Sequence, residues 1–234
     1  LQRSGVRRLI GRGLKVHPTV KVTARFPHPV DHDEVPMHRI VEFSPHLAIG
    51  GSASKRGHIA LSLADSGTDV GAALSDWEHR FVYYAAIRSD LGGRVIAIPG
   101  LRAPIVSYRL TDADLSRLAR GLVLLGEALL AAGAEELHPS IDGGAVVRHQ
   151  RDLVQWWDAL DRARTRLMTV HLTSSIRMSS DRSLAGTDGF GRVWDVEGLR
   201  VNDASLLADA PGVNPQAAIM TIALRNADHF IATT

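Results

Sequence analysis

The longest regular pattern of apolar positions in the chain lies between Thr111 and Gly133. Leucines recur there at helical spacing, at Leu115, Leu118, Leu122, Leu125 and Leu129. This spacing places them on one face of an α-helix, and the Thr-x-x-Asp sequence that opens the segment is a common capping signal. Glycine favours the end of a helix because it enters the left-handed conformation at low cost. The pattern therefore predicts one long amphipathic helix.

Runs of β-forming residues predict strands before that helix. These strands, bounded by glycine pairs and prolines, are Met37–Phe43 with His46–Ile49, Arg80–Arg88, Arg94–Pro99 and Ile105–Leu110. A short helix is predicted over Asp69–Arg80. An amphipathic helix is predicted over Arg148–Arg166, where Trp156 and Trp157 are either core residues or part of a pocket. Strands followed by a long helix indicate an α+β fold, an antiparallel sheet with helices on one face.

A stretch rich in proline and histidine, Val20–Val35, precedes these strands. It contains side chains of the types that bind metals, at His28, Asp31, His32, Asp33 and Glu34. The flanking prolines prevent the helix that would align such ligands on one face. We therefore expect a solvated loop here and no metal site.

A second apolar helix is predicted after Asn214-Pro215. Asparagine is a favoured N-cap, and proline suits the first helical position because its missing N–H would have no partner there. The apolar positions that follow form a wide stripe, at Ala217, Ala218, Ile219, Ile222, Ala223 and Ala227. The free amides and the partial positive charge at the start of such a helix favour a bound anion.

Composition limits the class of protein. The chain has 234 residues, 45% of them hydrophobic, which indicates one or two soluble globular domains. The pI near 9.3 accompanies a formal charge of only +2 and no basic block, so no nucleic-acid partner is predicted. No run of residues is long and apolar enough to predict a membrane span. The absence of cysteine excludes disulfides and fits a reducing compartment, which predicts a cytoplasmic location.

Three elements of the C-terminal part follow one another in a fixed order. His171 precedes Arg177-Met178, a strand-like run over Leu199–Asn202 ends at Asp203-Ala204-Ser205, and Asn214-Pro215 opens the last helix. This order resembles the C-terminal signature of the glucose–methanol–choline (GMC) oxidoreductases, which are flavoenzymes that oxidise alcohols. Only the C-terminal part of a GMC protein is matched.

The first stretch, Leu1–Pro18, resembles a mid-chain element of the same family, with Gly13 in place of an asparagine and His17-Pro18 retained. The resemblance implies that residues 1–18 end the first half of an FAD domain. Residues 19–167 would then form the substrate-binding domain. Residues 168–234 would form the C-terminal FAD and active-site segment, so the fold would combine an α+β domain with part of an FAD-binding α/β domain.

The resemblance also implies roles for single residues. His171 would be the catalytic base, and a neutral imidazole suits the removal of a hydroxyl proton. Asn214 would be the second catalytic residue and would orient the substrate oxygen. The cofactor would be FAD, bound at Asp203, Ala204, Asn214, Pro215 and Gln216, and the substrate would be a small-molecule alcohol.

Two departures from the family pattern bear on these expectations. Ser174, Ser175 and Ser179 stand where the family has Gly, Thr and Gly, so the backbone after His171 is expected to differ. No G-x-G-x-x-G opens a βαβ unit, which is the usual grip on the ADP part of FAD. We therefore expect a separate N-terminal FAD-binding half, cleaved or encoded apart, packed against residues 1–18 and 168–234. The alternative is a non-catalytic remnant or interaction subunit.

Overall fold

The computed structural model describes residues 1–6, 8–33, 39–40, 43 and 46–233. Two units follow from the packing. The first contains Leu1–His17, Arg88–Thr111 and Thr169–Thr234, and the second contains Pro18–Ile87 and Asp112–Met168. The segment 88–111, which the sequence prediction assigned to the substrate-binding domain, packs with the first unit. The predicted functional domains, residues 1–18, 19–167 and 168–234, stay a prediction, because the packing of a segment does not show which function it serves.

The regular elements are numbered along the chain. The strands are β1 (Arg12–Val16), β2 (Thr19–Arg25), β3 (Arg39–Ile40), β4 (Leu47–Gly51), β5 (Arg80–Ile87), β6 (Gly93–Ile96), β7 (Ile105–Ser107), β8 (Glu136–Pro139) and β9 (Leu172–Thr173). The helices are α1 (Arg56–Asp65), α2 (Val70–Ala73), α3 (Asp112–Ala131), α4 (Val154–Ala159) and α5 (Gln216–Thr233). Among the described residues, no helix combines the length and the apolar composition needed to cross a bilayer.

The second unit is built on a five-stranded antiparallel sheet with strand order β3-β4-β5-β2-β8. The mixed helix and antiparallel-sheet class is as predicted, and β5 agrees with its predicted strand. Strand β2 is buried along nearly all of its length. On one face, Lys21 Nζ lies 2.6 Å from Asp65 Oδ2 of α1, and Thr23 Oγ1 donates to Ser62 Oγ at 2.8 Å. The predicted loop over Val20–Val35 is therefore wrong for β2, whose polar side chains find partners on the unpredicted helix α1.

Helix α3 packs against β2, β4 and β5, and it confirms the predicted leucine face. Its buried leucines are Leu118, Leu122, Leu125 and Leu129. Gly126 allows close packing, since a Cβ there would lie 2.4 Å from Leu153 Cδ2 and 2.9 Å from Trp156 Cζ3. Trp156 is fully buried and donates its indole N–H to Ala145 O at 2.8 Å. Trp156 is thus a core residue, whereas Trp157 is 48% exposed.

The predicted helix over Arg148–Arg166 is much shorter in the structure. A 3-10 turn at Gln150–Leu153 leads into α4, which ends at Ala159. The carboxylate of Asp161 accepts from the backbone amides of Ala163 and Arg164, both at 2.7 Å. An aspartate side chain that satisfies the amides ahead of it competes with continuation of the helix.

The first unit contains a four-stranded antiparallel sheet with strand order β7-β6-β1-β9. The register between β1 and β6 shifts between Arg12 and Leu14, so Gly13 is an extra residue on β1. Its φ is 81°, a conformation typical of glycine in a bulge. The predicted strand Leu199–Asn202 is wrong. Arg200 forms a single bridge to Arg192 instead.

Helix α5 begins one residue later than the sequence predicted. The carbonyl of Pro215 accepts the first helical hydrogen bond, from Ile219 N at 2.9 Å. Pro215 therefore occupies the N-cap, and Asn214 precedes it. Asn226 is the buried residue of the described helix, and its Nδ2 donates to Asn202 Oδ1 at 3.1 Å. This contact ties the helix to the segment that carries Asp203.

Candidate active site

Two histidines that are distant in sequence meet at one end of the β1–β9 pair. In this antiparallel pair, Lys15 lies opposite Thr173 and Val16 lies opposite Leu172. The next positions beyond these paired residues are His17, after β1, and His171, before β9. Their Nδ1 atoms are 3.0 Å apart, and the rings meet edge to face, with centroids 5.1 Å apart and an interplanar angle of 85°. Strand register therefore creates a histidine pair, which we call the His17–His171 pair.

Burial keeps both members of the His17–His171 pair in the neutral form. His17 is only 4% exposed. Its burial, followed by the proximity of His171 and Arg88, lowers its pKa to about 4, and Asp209 opposes this change only weakly. His171 is half-buried, and burial lowers its pKa as well. A neutral imidazole has one unprotonated nitrogen, which is the form a general base requires.

A group of charged side chains lies beside His17. Arg88 donates to Asp209 Oδ2 at 2.8 Å, and Lys15 Nζ lies 3.4 Å from Asp209 Oδ1. Burial works against ionisation of Asp209. The hydrogen bonds from the Ala210 amide and Arg88, with the charges of Lys15 and Arg88, nevertheless hold its pKa below the usual value. One carboxylate thus faces two cations, and Arg88 lowers the pKa of His17 more than Asp209 raises it.

The segment after His171 pairs with the segment after Asp203. Ser174 N donates to Ala204 O at 3.3 Å, Ile176 N to Ser205 O at 3.1 Å and Met178 N to Leu206 O at 3.0 Å. Ser174 has a φ of 66°, which lies in the region that glycine enters most readily. Ser174 thus has the backbone conformation that the glycine of the family pattern would enter readily, and the expected difference from the family after His171 stays a prediction.

Asp203 caps the short turn that follows it. Its Oδ1 accepts from Ser205 N at 2.8 Å and from Ser205 Oγ at 2.5 Å. A cavity of about 610 Å³ lies alongside, lined in part by Arg200, Asn202, Asp203 and Ser205. The guanidinium of Arg200 suits the phosphate oxygens of a dinucleotide, and the carboxylate of Asp203 suits its hydroxyl groups. These residues therefore fit the polar part of a flavin cofactor.

The other predicted site residues, Asn214, Pro215 and Gln216, make no direct contact with the His17–His171 pair through hydrogen bonds that the structure describes. Asn214 and Gln216 are exposed and Pro215 is buried at the start of α5. Within the described residues, no hydrogen bond joins Asn214 or Gln216 to His17 or His171. The predicted cap is also wrong, since the Asn214 side chain makes no hydrogen bond to any residue that the structure describes.

The histidine-rich stretch is explained by aromatic packing. His32 lies against Trp77 and Phe81, with ring centroids 4.8 Å and 5.9 Å away, and its Nε2 lies 3.1 Å from Glu78 O. Glu34 lies outside the described residues. In the part of the chain that is described, no three His, Asp or Glu side chains are grouped to hold a metal ion.

His17 is the site residue that sequence reasoning missed. The retained His17-Pro18 dipeptide was a signal, but it carried no functional assignment. Its partner is 154 residues away, and only the strand register brings the two together.

Comparison with known proteins decides the family. Residues 99–223, more than half of the chain, match the sequence profile of a family described as GMC oxidoreductase. The chain belongs to the GMC oxidoreductase family. It is 39% identical over 231 residues to an uncharacterized GMC-type oxidoreductase of Sinorhizobium fredii, covering 97% of this chain and 46% of that protein. It is 28% identical to a long-chain-alcohol oxidase of Arabidopsis thaliana, covering 92% of this chain and 31% of that protein.

Solved structures show the same fold. Pyridoxine 4-oxidase from Mesorbium loti matches with a TM-score of 0.64 at 20% identity, covering 97% of this GMC chain and 44% of that one. Formate oxidase from Aspergillus oryzae matches with a TM-score of 0.59 at 16% identity, covering 94% of this chain and 47% of that one. The GMC chain thus spans less than half the length of each of these relatives.

Proposed function

We propose that this GMC chain forms the substrate-oxidising part of an FAD-dependent alcohol oxidoreductase, with His171 as the general base. The observation that carries the proposal is the state of His171. It is half-buried with a lowered pKa, and its Nδ1 is engaged by His17. Its Nε2 makes no hydrogen bond within the described residues. A neutral imidazole with one ring nitrogen open can accept the proton of a substrate hydroxyl.

The remaining chemistry needs a hydride acceptor. FAD supplies it when bound, because the flavin accepts the hydride that leaves the alcohol carbon. Asp203 and Ala204 would hold the polar part of the cofactor beside the cavity of about 610 Å³. Asn214, Pro215 and Gln216 would lie near the flavin ring, with Asn214 orienting the substrate oxygen. The start of α5 favours negative charge there, because its first amides have no helical acceptor.

The surface of α5 supports a partner segment. Five apolar side chains are exposed along it at alternating spacings of three and four residues, namely Ala217, Met220, Leu224, Ala227 and Ile231. Met220 is 62%, Leu224 65% and Ile231 76% exposed. A helix that presents apolar side chains away from its own core is buried against another element in most proteins. We propose that an FAD-binding segment, in the same protein or a separate subunit, covers this stripe.

One experiment tests the cofactor and the partner segment together. The chain is expressed alone and with a dinucleotide-binding segment, and flavin absorbance and molar mass are recorded. We expect flavin only in the assembled form. A soluble monomer with one flavin per chain would overturn the partner proposal. An assembled protein without flavin would favour the non-catalytic alternative.

The assembled protein is then mixed anaerobically with a long-chain alcohol, pyridoxine and formate, which are the substrates in the names of the relatives. His171→Ala should slow flavin reduction by roughly two to four orders of magnitude and leave the flavin bound. His58→Ala, which changes an exposed histidine of α1, is the matched control. A rate for His171→Ala within a few-fold of wild type would exclude His171 as the base.

A further inference from the structure

We propose that His17 is a positioning residue for His171: it holds His171 in the Nδ1–H tautomer and accepts that hydrogen throughout the reaction. The inference rests on the proposed function, because the role of His171 as a base decides which of the two Nδ1 atoms carries the hydrogen. Its geometric basis is independent of that function, namely the Nδ1–Nδ1 separation of 3.0 Å and the strand register that produces it. The orientation of one histidine by the hydrogen bond on its other nitrogen is a general feature of histidine chemistry.

The short distance limits the possible proton positions. One of the two Nδ1 atoms must carry the hydrogen and the other must accept it, since two lone pairs or two N–H groups would repel at this separation. If His17 were the donor, His171 would carry its own hydrogen on Nε2 and could not accept a proton there. If His171 is the donor, its Nε2 carries a lone pair directed away from His17. Only the second arrangement makes His171 a base.

The same arrangement fits the state after proton transfer. The O–H bond of the substrate breaks, the proton joins His171 Nε2, and the electron pair stays on the substrate oxygen. The imidazolium then carries hydrogens on both nitrogens, so its Nδ1 must donate. His17 Nδ1 remains the acceptor, and no tautomer has to change during the step. Because this hydrogen bond is already in place before the proton is transferred, neither side chain has to move when the positive charge forms on His171.

The surroundings of His17 keep it an acceptor. The charged and titratable groups that act on it are His171 on the paired strand, Arg88 after β5 and Asp209 in the C-terminal segment, with Lys15 beside Asp209. Burial and the charge of Arg88 both oppose a second proton on His17. A neutral His17 keeps one nitrogen lone pair, and in the proposed tautomer this lone pair lies on Nδ1, 3.0 Å from Nδ1 of His171. The proton taken from the substrate therefore stays on His171.

The tautomer can be measured without any turnover. Imidazole nitrogens of the histidine-labelled, assembled protein are observed by two-bond proton–nitrogen NMR, and the two residues are identified by the loss of their signals in His171→Ala and His17→Asn. We expect a protonated Nδ1 and an unprotonated Nε2 on His171, and the opposite on His17. The reverse assignment would overturn the proposal, whether or not the enzyme is active.

Kinetics of two variants provide the second readout. His17→Leu removes the acceptor with little change in volume, and His17→Asn keeps an oxygen near the position of Nδ1. We expect His17→Leu to slow flavin reduction by about 10- to 100-fold with KM little changed. The acidic limb of its pH profile should move to lower pH, because the imidazolium of His171 loses its acceptor.

His17→Asn should restore at least part of the rate and of the pH profile. A purely structural role for His17 predicts that both variants lose flavin or stability and leave the pH limb in place, which would contradict the proposal. If His171→Ala proves fully active, the proposed function fails, while the NMR experiment still decides the tautomer.

Discussion

Acid should destabilise this protein through the protonation of His17. His17 is buried and neutral in the folded chain, and its pKa falls from 6.5 to about 4 on folding. In the unfolded chain the imidazole takes up a proton near its ordinary pKa. Between these two values the unfolded state binds more protons than the folded state, so the free energy of unfolding falls as the pH falls. The neutral His17 therefore contributes its full stabilisation above the pKa of the unfolded state, and this contribution is lost as the pH falls to the pKa of the folded state.

The size of the effect follows from the same two values. The difference between 6.5 and about 4, at about 1.4 kcal/mol for each pH unit, corresponds to about 3 kcal/mol. Roughly 2 kcal/mol of this is lost by about pH 5. His138 and His171 also have lowered pKa values, because of burial, and act in the same direction. The contribution of His17 must therefore be obtained by difference.

The assay is urea unfolding of the assembled protein, followed by far-UV circular dichroism at two pH values, about 7.5 and about 5. Wild type should lose about 2 kcal/mol more of its unfolding free energy between them than His17→Asn does. His58→Asn, at an exposed position, should behave as wild type. Parallel pH dependence in wild type and His17→Asn would refute the assignment of His17 as a buried neutral histidine.

Two further predictions concern the neighbouring segments. At Ser174, whose φ is 66°, Ser174→Gly should be more stable than Ser174→Ala by about 1 kcal/mol, because alanine keeps the cost of a left-handed backbone. Both variants lose the hydroxyl contact with Thr173, so equal or reversed stabilities in thermal unfolding would contradict the assigned backbone. Asn214→Ala should change the unfolding free energy by less than about 0.5 kcal/mol, since the side chain caps nothing that the structure describes, yet slow flavin reduction. An unchanged reduction rate would remove Asn214 from the site.

Elements with a clear local pattern were predictable from the sequence. Helix α3 has its leucine face and its flanking glycine, and β5 has a run of aromatic and branched residues. The alternation of polar and apolar residues in β2, Thr-Val-Lys-Val-Thr-Ala-Arg, is itself typical of a half-buried strand. The strand was missed because the proline- and histidine-rich residues that follow it led to the prediction of a loop over the whole stretch. Its polar face is buried by Ser62 and Asp65 of α1. A local sequence pattern cannot predict that Lys21 will be buried by a helix that is distant in the sequence.

The residues of the candidate site also differ in whether a local sequence pattern could predict them. His171 and the Asp203 turn could be selected because they stand in a characteristic order within one segment. His17 could not, because its role depends on pairing across 154 residues. The prediction of a strand over Leu199–Asn202 was wrong for a related reason. A strand-like composition shows that a segment can pair, but pairing also needs a neighbouring strand. In the described part of the chain, this segment forms only the bridge between Arg192 and Arg200.

Two residues with a positive φ, Gly13 and Ser174, lie beside the β1–β9 pair that carries His17 and His171. Gly13 stands where the family pattern has asparagine, and Ser174 stands where it has glycine. Both nevertheless have positive φ, 81° and 66°. Asparagine and glycine both enter this region readily, so Gly13 can replace asparagine without strain. Serine enters it at a cost, so Ser174 is strained. Gly13 forms the bulge on β1, and Ser174 follows β9 directly. Gly13 and Ser174 both lie at the end of the β1–β9 pair that is opposite to His17 and His171. A one-residue slip of this pair would turn every side chain to the opposite face and separate the two histidines.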